Sequence, residues 1–140
     1  MKIYSISFAV SFAVFFALLA TSCRNSHHSL NLEAVQIDLN NGQKWKVNLE
    51  MAPFILEAEQ ILLQYNDNDY LALAEQLKNK NKGLIKSCTM DGKSHEELHK
   101  WLHPHMQLIE SLGAAENKEE ANKIISQLKA SFQTYHNFFQ

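Results

Sequence analysis

The chain has 140 residues, enough for one domain and too few for a multidomain machine. Hydrophobic residues make up 46% and charged ones 20%, ordinary globular usage that excludes wholesale disorder. Thirteen Lys and Arg against fifteen Asp and Glu leave a net charge of −2 with no basic block, so the electrostatic footprint of a nucleic-acid binder is missing.

The first residues read as an address rather than as structure. Lys2 is a one-charge start, and residues 6–20 are apolar, uncharged and short for a membrane span. Arg24, Asn25, Ser26, His27 and His28 end that run abruptly. Ala20, Thr21 and Ser22 stand directly before Cys23, an order that resembles the lipobox of bacterial lipoprotein precursors, loosened at Ala20 where Leu is more usual. The resemblance implies a signal peptide over residues 1–22, cleavage before Cys23, diacylglycerol on its thiol and an acyl chain on its new amine. The expected product is exported and lipid-anchored to a cell membrane, facing the periplasm. Arg24, in place of an acidic residue, is compatible with the outer membrane. An ordinary signal peptide with an incidental Cys23 is the competing reading, and it exports the chain as well. With lipid on Cys23, Cys88 is an odd thiol in an oxidising compartment, to be buried, bound to metal or used.

Residues 23–32 read as a polar tether, and residues 33–140 as the folded domain. Val35, Ile37 and Leu39 alternate with polar residues, Asn41-Gly42 suits a type I′ turn, and Trp45 and Val47 alternate on the way back. That pattern predicts a short β-hairpin. Four Gly and two Pro in the whole chain are few for an all-β sandwich and favour helices for the rest.

Four helical periods follow. The first runs from about Asn48, as cap, to Tyr65, with Met51, Ile55, Ala58, Leu62 and Tyr65 on one stripe and Pro53 in its first turns. The second, capped by the residues 66–69 cluster, carries Tyr70, Leu73, Ala74, Leu77, Asn81 and Leu84 and ends at Cys88. Ser94 with Glu97 makes a capping box for the third. Its stripe is His95, His99, Leu102, Met106, Ile109 and Gly113, with Leu98, His105 and Leu112 alongside. Asn117 with Glu120 caps the fourth, whose stripe is Ala121, Ile125, Leu128, Phe132, Tyr135 and Phe139. Short loops between amphipathic helices imply antiparallel neighbours, hence an all-α, up-down-up-down four-helix bundle preceded by the hairpin. Pro104 should kink or open the third helix.

In such a bundle Met51, Cys88, His95 with His99, and His136 fall at one end, under a loop that adds Met90. Thiolate, thioether and imidazole together suit copper or zinc, and imidazole with thioether also suits haem iron. His95 and His99, at i and i+4, can grip one ion from one helix face. Glu96 and Glu97 are expected on the polar side, which disfavours a ferritin-like di-iron site. The bland alternatives are a Met51 that only fills the core, an inert Cys88 and a His136 at the surface. His103 beside Pro104 is expected to be solvated, and His27 and His28 to capture metal weakly at best. The expectation is a non-enzymatic, membrane-tethered copper or zinc binder that exchanges its ion with a partner protein. A structural or partner-binding lipoprotein without cofactor is the bland rival. A Cys88–His95 nucleophile pair lacks an orienting Asn or Asp and an oxyanion-hole motif, so no enzyme is expected.

Gln127-Leu128-Lys129, followed by Tyr135-His136 and reaching back through Glu119-Glu120-Ala121 to Leu112, resembles the soluble periplasmic cytochrome b family. Its members are antiparallel four-helix bundles holding one haem b noncovalently. The resemblance covers the third and fourth helices. It implies His136 as one axial ligand and Met51 as the other, in an electron-transfer protein. His95 and His99 stand where that family has aromatic residues against the haem. No Cys-x-x-Cys-His occurs, so covalent attachment is out.

Overall fold

The computed structural model describes residues 36–66 and 69–140. The leader, Cys23 with its expected cleavage and lipid, and the tether lie outside the described residues. Four helices make up the domain: α1 (Ala52–Gln64), α2 (Tyr70–Ser87), α3 (Gly92–Ala114) and α4 (Lys118–Phe138). α1 packs on α2, α2 on α3, α3 on α4, and α4 on α1, so the apolar stripes close around one core. No helix among the described residues is long and apolar enough to cross a membrane.

Local chemistry explains most of the boundaries. Asp69 accepts the Ala72 N–H at 2.9 Å and starts α2. Asn117 accepts the Glu120 N–H at 3.0 Å while the Glu120 carboxylate reaches back to the Glu116 N–H at 2.9 Å, so both partners of the expected pair work at the start of α4. Asn48 does not cap α1, which begins only at Ala52. Its amide instead donates to the Ser87 carbonyl at 3.0 Å and accepts the Thr89 N–H at 3.3 Å, joining the approach to α1 to the end of α2. The Ser94–Glu97 capping box does not form either. Gly92, at φ +58°, lets α3 start three residues earlier, with Asp91 at the cap position, and Ser94 Oγ donates to the Asp91 carbonyl at 3.1 Å. α3 runs unbroken through Pro104, because buried Trp101, Leu102, Leu108 and Ile109 on either side outweigh one missing N–H.

Before the helices, Asn40 and Gln43 exchange backbone hydrogen bonds of 2.9 and 3.0 Å around Asn41 (φ 52°) and Gly42 (φ 82°). Those two positive φ angles are what a type I′ turn requires, and Asn-Gly supplies them at least cost. The chain from Trp45 to Val47 then runs alongside the C-terminal residues. Trp45 N–H donates to the Phe138 carbonyl at 2.8 Å, Gln140 N–H to Trp45 at 2.9 Å, and Val47 N–H to Gln140 at 3.0 Å.

The stripes of α1, α2 and α4 are buried as the periods predict, except that Tyr65 and Tyr70 at the α1–α2 junction are half-buried. α3 is rotated. It buries Glu97, Leu98, Trp101, Leu102, His105, Leu108, Ile109 and Leu112, and leaves His99 and Gly113 exposed with His95 and Met106 half-buried. The expected inward stripe through His95 and His99 is therefore wrong for this helix. The reason is the gain from burying Trp101 and four leucines, against imidazoles that lose water when buried.

Glu97 is the second correction, since it has no exposed surface at all. Lys93 and Lys100 each meet its carboxylate at 2.8 Å, and the Asp38 N–H donates to it at 2.9 Å. Lys100 also donates to the Gln36 carbonyl at 3.1 Å, and Trp45 Nε1 to the Asp38 carbonyl at 2.6 Å. The carboxylate thus straps residues 36–38 onto α3, with Ile37 inserted into the core. Burial by itself raises its pKa, but the lysine and backbone donors win and hold it near 2, against an ordinary 4.5. A folded pKa below the unfolded one means stability present above about pH 4.5 and lost as the pH falls toward 2. Glu97→Gln is expected to weaken folding by about 1–3 kcal/mol at neutral pH. The difference from wild type should shrink across that acid window, as read by urea unfolding at several pH values.

Candidate metal centre on the third helix

Turning Trp101 inward sends one line of histidines outward. His95, His99 and His103 lie one turn apart on the solvent side of α3. The Nε2 atoms of His95 and His99 are 3.0 Å apart, with ring centroids at 4.4 Å and planes at 84°. The two nitrogens share a hydrogen bond. With both rings neutral, one donates and the other accepts; with both protonated the contact is repulsive. The His103 ring centroid is 5.7 Å from that of His99.

Desolvation and the neighbouring histidines favour the neutral form of His99. Partial burial of His99 lowers its pKa below the ordinary 6.5, and the charges that His95 and His103 carry when protonated lower it further. Since only a neutral imidazole can bind metal, His99 stays competent at lower pH than a free histidine does.

The other expected donors are not gathered around this pair. His136 is half-buried on α4, and its Nε2 donates to the Glu59 carboxylate of α1 at 2.8 Å. Met51 is fully buried in the core at the head of α1. Cys88 is half-buried at the end of α2, its N–H donating to the Ile85 carbonyl at 3.3 Å. Among the described residues no three of His, Cys, Asp and Glu come together as a metal-holding group.

Sequence reasoning missed two residues that matter here. Trp101 and Glu97 are buried on α3, as is His105, which the period does place beside the inward stripe. The sequence does hold a signal for the rotation: Leu98, Trp101, His105, Leu108 and Leu112 form an alternative stripe, heavier in apolar surface than the one through His95 and His99.

No protein-family model, curated protein or solved structure matches this chain. His95→Ala removes one of the two charges that hold His99 down, so His99 is expected to titrate at higher pH in that variant. Histidine C–H shifts followed by NMR from pH 8 to pH 5 would read this directly; an unchanged His99 midpoint would contradict the contact.

Proposed function

We propose that this chain is an exported, lipid-anchored, non-enzymatic bundle that binds a transition-metal ion, zinc or copper, through His95 and His99. The observation that carries the reading is the 3.0 Å between their Nε2 atoms. Two imidazole nitrogens about 2.0–2.1 Å from one ion stand roughly 3.0–3.4 Å apart when adjacent in its coordination sphere. To chelate, the donating ring shifts its hydrogen from Nε2 to Nδ1, so that both rings stay neutral and both Nε2 lone pairs are free for the ion. An all-imidazole set favours zinc or Cu(II) over Cu(I), which the sulfurs of Cys88 and Met51 would have selected. Two ligands leave the remaining positions to water or to donors from a partner, an arrangement suited to handing an ion on rather than locking it away.

The same reading includes an up-down-up-down bundle with an N-terminal hairpin. Contacts between unlike ends support the alternation: Asn48 before α1 with Ser87 ending α2, and Tyr70 starting α2 with Ala115 just past α3, whose carbonyl accepts its hydroxyl at 3.3 Å. The apolar run, small residues and Cys23 support export and lipid anchoring, with anchoring to the outer membrane resting on Arg24.

Calorimetric titration of the chain with Zn(II) and with Cu(II) at pH 7.5 tests the assignment. His95→Ala and His99→Ala are each expected to weaken binding at least tenfold, while Cys88→Ala and His136→Ala leave it unchanged. Loss of binding in the Cys88 or His136 variant would restore the site of five converging donors. Haemin titration is the control: a Soret band abolished by His136→Ala would replace this reading with the haem b carrier. Unchanged melting with every ligand would leave the partner-binding lipoprotein.

A further inference from the structure

Between α3 and α4 lies a titratable group for which metal binding has no use. His105 is 1% exposed. Its ring lies nearly flat against Trp101, with centroids 4.7 Å apart and planes at 25°, and meets the Phe132 ring at 4.8 Å and 76°. Its Nδ1 is 2.9 Å from Ser131 Oγ, and the Ser131 carbonyl is taken by Trp101 Nε1 at 2.8 Å. Its Nε2 has no partner, and no other buried side-chain nitrogen or oxygen among the described residues shares that state.

A proton added here would place a full charge between two aromatic walls, with an N–H facing nothing that accepts it. Burial alone drives the His105 pKa down, to about 3. No surrounding element offers a compensating charge. On α4, Ser131 and Phe132 are neutral, Tyr135 against Trp101 is kept as its phenol by burial, and His136 already pairs with Glu59 of α1. The buried residues of α1 and α2 are uncharged. On α3 itself, buried Glu97 lies roughly 12 Å back along the axis and is held by Lys93 and Lys100.

We propose that His105 is a built-in acid release for the α3–α4 contact: the opened chain takes up a proton that the closed bundle refuses, so mild acid drives the bundle open. The folded pKa lies below the unfolded one, so the stability that depends on neutral His105 is complete above the ordinary imidazole pKa and falls as the pH drops below it. With an unfolded pKa near 6.5, one such histidine shifts the folding equilibrium about 30-fold between pH 7.5 and pH 5.0. This interval lies above the acid window of Glu97, so the two effects separate.

The test is equilibrium unfolding of the full-length chain in detergent with EDTA present, at pH 7.5 and pH 5.0. Wild type is compared with His105→Phe, which keeps an aromatic ring of similar size and removes the titration. The folding constant of wild type should fall about 30-fold more than that of the variant, because every other titrating group is common to both. In native wild type, the His105 ring resonances should stay fixed between those pH values. An equal fall in the two proteins, or a His105 resonance titrating near pH 6.5 in the folded chain, would overturn the proposal. Should His105→Phe fail to fold, the wild-type NMR titration decides alone.

Discussion

The Trp101 face of α3, pressed against α4, is the constraint from which the rest of the molecule follows. The indole is 2% exposed, packs on His105, Phe132 and Tyr135, and donates through Nε1 to the Ser131 carbonyl of α4. A side chain of that size is among the largest apolar contributions a bundle of this length can bury. Once it points inward, the angular position of every other residue on α3 is set. Leu98, Leu102, Leu108, Ile109 and Leu112 follow it into the core, and His95, His99 and His103 are carried to the outside.

That rotation also places charged and titratable groups where periodicity alone does not put them. Glu97 lands under the chain entering the domain, where two lysines and a backbone N–H make its burial tolerable. His105 lands deeper, with a hydroxyl on one nitrogen and nothing on the other. The two differ in the sign of what burial does. Glu97 is surrounded by donors and remains charged, whereas His105 is surrounded by rings and remains neutral. A carboxylate near the surface can recruit flexible lysines; an imidazole between two aromatic rings has no such recourse.

The exposed histidines gain their geometry from the same helix. Spacing of four residues stacks His95 over His99, and the half-buried setting of His95 narrows the rotamers that bring the two Nε2 atoms together. The pair is open to solvent on one side, which suits an ion that must arrive and leave. Met51 and Cys88, whose sulfurs would make a tighter and softer site, are occupied in packing and in ending a helix.

Much of the fold could be read in the residues. The caps at Asp69 and Asn117, the Asn41-Gly42 turn and the stripes of α1, α2 and α4 are local patterns, determined by neighbours within a few positions, and each is present in the folded chain. The i, i+4 histidine pair was equally plain. What the sequence did not decide was the rotation of α3, because two overlapping stripes share Leu98, Leu102, His105, Ile109 and Leu112, and only contact with Phe132, Ser131 and Tyr135 of α4 chooses between them. That choice is a packing energy summed over residues far apart in the chain. The same holds for Glu97, whose partners include Asp38, 59 residues away, and for the separation of Cys88 and His136 from the histidine pair. Local chemistry settled where helices start and which faces are apolar; long-range packing settled which donors meet.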